Sequence, residues 1–439
     1  MFHLTNLTNS LKRFTWKVLG GALLLSLLIY TIALAAAGDL DTTFSGDGKL
    51  TTDISGNSSD GAWGVAINAG KIVVVGENGG AGSDFAVVRY LATNGALDTS
   101  FSGDGKVLTD FGDFERARGV AVQSDGKIVV VGETCDGSWV CDLAVARYRV
   151  GGGLDTTFDG DGKVEIDFGS GNNGTLKGVV IQPDGKIVIA GYMHNGSNYD
   201  FAVYRLNTDG SLDNTFSGDG RAQIAFASGR NDSGVDLVLV SSKIVVAGYT
   251  CDGSGENCNM AVLRLNANGS RDTTFSSDGW AVANFGGEDR GWAIAAQSDD
   301  KIVVAGRKET AGDGYFALAR FNTNGTLDTT FSSDGKVTTN LTLGQYDSAH
   351  AIAIQANGRI LVAGTTGGSA AEDFALVRYR SNGALDTSFS ADGIVTTNFF
   401  FGDHAFGMAL HANGKILVAG RIKVSDTNFS DFGLARYLP

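Results

Sequence analysis

Apolar residues in this chain gather into short, nearly unbroken runs that return at regular intervals. One run, KIVVVG from Lys71, recurs from Lys127, as KIVIAG from Lys186, as KIVVAG from Lys243 and Lys301, as RILVAG from Arg359 and as KILVAG from Lys415. A second, DFAVVRY from Asp84, recurs as DLAVARY, DFAVYRL, NMAVLRL, YFALARF, DFALVRY and DFGLARY. Runs this short, rich in Val, Ile, Phe and Tyr and separated by Gly, Asp and Asn, predict strands rather than helices. They do not alternate apolar with polar residues, so both faces of each sheet are expected to be covered.

A third, more polar word keeps step with them. LDTTFSGDGKL from Leu40 returns from Leu97, Leu154, Leu212, Arg271, Leu327 and Leu385, at spacings of 57, 57, 58, 59, 56 and 58 residues. Each unit then comprises four short strands: one like GVAVQ, the KIVVVG run, the DFAVVRY run, and one like GKVLTDF after the polar word. Seven four-stranded sheets, each covered on both faces by its neighbours, predict an all-β fold, a seven-bladed β-propeller. The last unit ends at DFGLARYLP without a polar word or fourth strand, whereas the first 60 residues hold one of each ahead of the first complete unit. The N-terminal strand is therefore expected to complete the last blade and close the ring.

The three linked words resemble the delta-60 repeat family of bacterial exported proteins, whose repeat carries LDTTFSGDGK, DGKIVVAG and DFAVARY. The resemblance covers the chain from about residue 38 onward. It implies a propeller and no defined activity. The tryptophan-aspartate ending of another common propeller repeat is absent.

Two aspartates six apart, the second followed by glycine, invite comparison with a calcium loop. Such a loop needs six to eight oxygens at alternating positions, whereas Thr-Thr-Phe-Ser-Gly stands between Asp41 and Asp47. No metal is expected there. Aspartate and glycine suit a turn, and the phenylalanine suits an anchor between blades. Each DFAVVRY-type run also carries an arginine (Arg89, Arg147, Arg205, Arg264, Arg320, Arg378, Arg436) ahead of Asp98, Asp155, Asp213, Asp272, Asp328 and Asp386, with Asp41 left for Arg436. Seven bidentate internal ion pairs are expected, as scaffold rather than site.

Residues 1–37 bear Lys12, Arg13 and Lys17, no acid, and an apolar stretch ending in Ala-rich exits, which predicts a secretory signal peptide ahead of a propeller domain at 38–439. Left uncleaved, the same stretch is long enough to anchor the chain in a membrane. Either way the remainder is placed outside the cytoplasm, secreted or at the cell surface. Cleavage takes the net charge from −14 to −17, which argues against nucleic acid as a partner. The four cysteines form two local pairs, Cys135 with Cys141 and Cys251 with Cys258. Of three connectivities, two loop-stapling disulfides fit an exported chain best.

Strand alternation places the connections between first and second strands, and between third and fourth, on one monotonous rim. The other rim collects the variable loops, including both cysteine loops, and such loops are where recognition concentrates. The residue just before each innermost strand is Trp63, Arg118, Lys177, Val235, Trp292, His350 or Phe406, followed by positions that read as small or apolar. Trp63, Arg118, Lys177, Trp292, His350 and Phe406 are the candidate ligand-binding set at a central mouth, unless they merely plug it. HExxH, GxSxG and P-loop motifs are absent. Glu115, Asp289 and Asp403 with His350 or His404 offer acid–base chemistry for a glycan lyase or hydrolase. The expectation is a monomeric binding or adhesion module without cofactor, for a polysaccharide, with anionic ones favoured, or a cell-surface protein. An enzyme and a purely structural propeller are the alternatives.

Overall fold

The computed structural model describes residues 35–56, 58–80, 82–169, 172–310, 312–342, 345–368, 372–424 and 429–439. Nearly all of the expected signal peptide, residues 1–34, lies outside the described residues. The first strand is β1 (Lys49–Thr52). Blade 1 follows as β2 (Gly61–Asn68), β3 (Lys71–Glu77), β4 (Phe85–Leu91) and β5 (Lys106–Thr109), and blade 2 as β6 (Phe114–Val122), β7 (Ile128–Cys135), β8 (Cys141–Tyr148) and β9 (Lys163–Ile166). Blade 3 holds β10 (Gly174–Ile181), β11 (Ile187–His194), β12 (Tyr199–Leu206) and β13 (Arg221–Ile224). Blade 4 holds β14 (Asn231–Val240), β15 (Lys243–Cys251), β16 (Asn259–Leu265) and β17 (Trp280–Ala283). Blade 5 holds β18 (Glu288–Ala296), β19 (Ile302–Thr310), β20 (Asp313–Phe321) and β21 (Lys336–Thr339). Blade 6 holds β22 (Ser348–Ile354), β23 (Ile360–Thr366), β24 (Asp373–Tyr379) and β25 (Ile394–Thr397), and blade 7 begins with β26 (Asp403–Leu410), β27 (Ile416–Lys423) and β28 (Ser430–Tyr437).

All seven sheets are four-stranded and antiparallel, and the seventh runs β1-β28-β27-β26. β1 pairs with β28 from Lys49 opposite Ala435 to Thr52 opposite Phe432. The innermost strands touch in a cycle, β2 to β6, β10, β14, β18, β22, β26 and back to β2. The ring is closed by the N-terminal strand, as expected. The hydrophobic core is divided among the gaps between blades: at the closing seam Phe44, Val74, Val88 and Tyr90 pack with Leu417, Phe432 and Leu434. The Tyr90 hydroxyl donates to Thr52 Oγ1 across that seam at 2.8 Å. Burial on both faces explains the unbroken apolar runs.

The repeated polar word is a clasp. Asp213 Oδ1 accepts from the N–H and hydroxyl of Thr215 at 3.0 and 2.7 Å. Its Oδ2 takes Arg205 Nε at 2.6 Å and Lys186 Nζ at 2.8 Å. Arg205 then lies over the Phe216 ring, 4.8 Å from its centroid, and Phe216 is fully buried. The same arrangement joins Arg436 of blade 7 to Asp41 and Phe44. The arginine is not bidentate to the carboxylate: its remaining nitrogens go to Thr215 Oγ1 and to the main-chain oxygen of Ala267 in the next blade. One guanidinium thereby ties its own turn to its neighbour. Both Asp213 carboxylate oxygens are thus engaged by protein donors.

Candidate functional site

Each innermost strand carries a β-bulge at the same place. The register slips between Ala62 and Gly64, Ala117 and Gly119, Leu176 and Gly178, Gly234 and Asp236, Gly291 and Ala293, Ala349 and Ala351, and Ala405 and Gly407. The seven extra residues are Trp63, Arg118, Lys177, Val235, Trp292, His350 and Phe406. They sit inside the strands rather than before them, because each strand begins two or more residues earlier than its apolar run suggests. A bulge re-aims its side chain, and here all seven line one central cavity of about 390 Å³.

The glycine that ends every KIVVVG-type run makes room for this bulge. A β-carbon on Gly76 would run into the carbonyl oxygen of Gly61, and one on Gly132 into that of Arg116. The residue after each bulge is Gly64, Gly119, Gly178, Ala293, Ala351 or Gly407, because adjacent innermost strands nearly touch: a β-carbon on Gly119 would collide with the Lys177 carbonyl oxygen. Blade 4 breaks this rule with Asp236, contrary to the expectation of small or apolar residues throughout. Its carboxylate lines the cavity and accepts from Leu237 N–H at 2.9 Å and, across the seam, from Ile294 N–H at 3.1 Å.

The cavity wall is chemically divided. Trp292, His350, Phe406 and Trp63 form an aromatic arc, with successive ring centroids 6.2, 5.3 and 4.3 Å apart. Arg118 and Lys177 occupy the other side and lie over the ends of the arc, Arg118 4.4 Å from the Trp63 ring and Lys177 Nζ 5.1 Å from the Trp292 ring. Arg118 Nη2 is paired with Glu133 at 2.8 Å. No carboxylate lies within ion-pair distance of Lys177 among the described residues. Three donors of this wall, Trp63 Nε1, Trp292 Nε1 and Arg118 Nε, are buried without an acceptor among the described residues.

Burial, together with the nearby Arg118 charge, pushes the Lys177 ammonium down to about 8. Burial lifts the Asp236 carboxyl to about 6 against its two N–H donors and Lys177. His350 is pushed down to about 3 by burial and then by Lys177, so its imidazole is neutral. The expected acid–base partners are not in the cavity. Glu115, Asp289 and Asp403 are 1%, 0% and 0% exposed and fold back onto the loops before their strands, where Asp403 accepts from Phe399 N–H and Asp289 from Phe285 N–H, both at 2.6 Å. His404 lies outside the cavity and faces Glu372 at 3.4 Å. Both disulfides form as expected, Cys135–Cys141 and Cys251–Cys258, and leave no free thiol. Asp236 and Glu133 escaped the sequence analysis. Asp236 was visible there as the one acid aligned with six Gly or Ala residues, whereas Glu133 reaches Arg118 only through the β6–β7 register.

The model of a beta-propeller domain of unknown function, DUF5122, matches residues 70–101, 123–158, 182–216, 242–275, 297–331, 355–389 and 411–439, one stretch per repeat. No curated protein matches the chain. Solved structures similar in fold include Drosophila Plexin A in complex with Semaphorin 1b, at 11% identity over 92% of this chain and 88% of that one, with a TM-score of 0.48. The polysaccharide lyase Uly1 is 9% identical over 88% and 91%, with a TM-score of 0.48. Puromycin hydrolase is 13% identical over 89% of this chain and 53% of that one, also at 0.48.

Proposed function

The chain belongs to the DUF5122 beta-propeller family, of unknown function, and on that premise we propose that it is an exported binding module whose central cavity takes an anionic, carbohydrate-type ligand. The observation that carries this is the half-cationic wall with three buried donors that lack acceptors. A carboxylate or sulfate supplies acceptors to Arg118, Lys177 and the indoles, and the apolar face of a sugar suits the aromatic arc. The two disulfides fit an oxidising compartment. Among the described residues no helix is long and apolar enough to cross a membrane. The delta-60 resemblance, with its exported members, is part of the same reading.

The test is retention of the protein on immobilised polyuronate against a neutral glucan, with wild type compared with Lys177→Gln and Trp292→Ala. A charge-assisted hydrogen bond contributes about 1.5–3 kcal/mol, so Lys177→Gln should weaken polyuronate binding about tenfold to a hundredfold. Its melting temperature should not fall, because the substitution removes a half-buried charge with no paired carboxylate. Equal retention of all three proteins would mean that these side chains only fill the channel, the structural alternative. A second reading, a lyase or hydrolase acting on the same polymer, draws on Lys177 and Asp236, which both titrate near neutrality beside the cavity. Depolymerisation of the polyuronate, lost in Asp236→Asn, would decide for it.

A further inference from the structure

Outside the central cavity, three positions meet wherever one blade adjoins the next. They are the residue just before the Phe85-type position of the third strand, the residue after the fourth strand, and the residue three before the next blade's bulge. The register repeats, with Phe85 opposite Thr109 in blade 1 and Phe374 opposite Thr397 in blade 6. Between blades 1 and 2 all three positions are acids, Asp84, Asp110 and Glu115, and one carboxylate oxygen from each lies within 4.8 Å of the others.

Like charges this close oppose each other's ionisation. Burial and then Asp110 raise the Asp84 carboxyl, and burial with Asp110 among its neighbours raises Glu115. Among the described residues no ion pair relieves the trio. Lys163 Nζ approaches but donates to the main-chain oxygen of Asp110 at 3.2 Å, not to a carboxylate. Asn78 Nδ2 gives Asp84 a single long bond of 3.2 Å. Glu115 is 1% exposed. Its Oε1 accepts from Asp113 N–H at 2.8 Å and Thr134 Oγ1 at 3.2 Å, while Oε2 has no hydrogen-bond partner among the described residues.

Five other seams avoid the crowding by composition, with Gly174, Ala225, Asn284, Asn340 or Asn398 at one of the three positions. In blade 6 the amide relieves the acid directly, Asn398 Nδ2 donating to Asp373 Oδ1 at 2.7 Å. The closing seam also gathers three acids, Asp53, Asp60 and Asp431. There, however, both Asp60 oxygens are occupied, Oδ1 by the Ser58 hydroxyl at 2.5 Å and Oδ2 by Ile54 N–H at 2.6 Å. The seam between blades 1 and 2 thus combines three carboxylates with a buried oxygen left bare.

We propose that Asp84, Asp110 and Glu115 bind one calcium-type divalent cation on the variable rim between blades 1 and 2. An all-carboxylate set without nitrogen or sulfur selects a hard cation. Oxygens at this spacing suit a shared ion with ligands at about 2.4 Å, and exposure of Asp110 leaves an entry path and room for coordinating water. The ion would hold the loop after β5 against the loop before β4, independently of the central ligand.

The test uses the full chain, stripped with a chelator and titrated with calcium chloride by calorimetry and by thermal unfolding. One ion per chain is expected, with a dissociation constant on the order of 10⁻⁴–10⁻³ M, as in extracellular modules, and a melting temperature that rises with calcium. Asp110→Asn should weaken calcium at least about tenfold. In chelator it should melt at or above wild type, because one repelling charge is gone, and the order should reverse when calcium is added. Asp53→Asn, at the closing seam, should keep the calcium response. Absence of any response at about 10 mM calcium, undiminished affinity in Asp110→Asn, or loss of the response in Asp53→Asn instead, would each overturn the assignment.

Discussion

Replacing Asp213 by asparagine tests whether the repeated clasp is a buried structural element or surface decoration. The substitution keeps an oxygen for Thr215 and removes the charge opposite Arg205 and Lys186, which lie 2.6 and 2.8 Å from Oδ2. The side chains of Asp213 and Arg205 are 4% and 7% exposed, that of Lys186 27%. Removing one partner of a buried pair costs about 3–5 kcal/mol because the other charge is left uncompensated. Arg205 retains Thr215 Oγ1 and the Ala267 carbonyl, so the low end applies, about 3 kcal/mol. Lys186→Ala, at the exposed edge, should cost less than about 1 kcal/mol. Urea unfolding of the three proteins measures both quantities.

The pH dependence adds a second, independent readout. Burial alone would raise the Asp213 carboxyl, but the Lys186 and Thr215 hydrogen bonds and the Arg205 charge hold it well below the usual carboxylate range. A group depressed on folding stabilises fully above its unfolded value of about 3.9 and loses that contribution as pH falls toward the folded value. The gap between wild type and Asp213→Asn should therefore be flat from about pH 5 to 8 and narrow below about pH 4. A loss no greater than that of Lys186→Ala, or a gap that persists unchanged at pH 3, would refute the buried-clasp account.

Deleting residues 35–53 removes β1 and the Asp41 clasp and bares the edge of β28; cooperative unfolding should shift to much lower urea or disappear, and an unchanged midpoint would contradict closure by this strand. Loss of either disulfide, whose loops span separations of 6 and 7 residues, should cost about 2 kcal/mol at most and raise hydrogen exchange only in its own loop, with the ring intact. Polyuronate binding should weaken as pH rises through about 8, where Lys177 loses its proton, and strengthen as pH falls through about 6, where Asp236 is neutralised; a titration of affinity against pH that rises with pH instead would remove Lys177 from the site.

The four-stranded unit, its sevenfold repetition and the closing strand were legible in the chain because each is written in short-range pattern. Gly and Asp mark turns by their own backbone preferences, and an unbroken apolar run demands cover on both faces wherever it lies. The Arg436 pairing with Asp41 could be anticipated for the same reason, since six local copies of it occur elsewhere. The ring residues were picked out by position, although nothing local showed that each is a bulge. That depends on register, with Gly76 opposite Ala62 and Gly132 opposite Ala117 leaving room for the Gly61 and Arg116 carbonyls beside the extra residue. Only the tertiary structure decided the chemistry around the axis. Glu115, Asp289 and Asp403 look like surface carboxylates in sequence, yet folding turns them onto loop N–H groups, while Asp236 enters the cavity because the strand beside it comes within hydrogen-bonding reach. The convergence of Asp84, Asp110 and Glu115 belongs to the same class. Two of the three face each other within a blade and the third arrives from the next, so their proximity is a property of how blades pack, which no stretch of one repeat encodes.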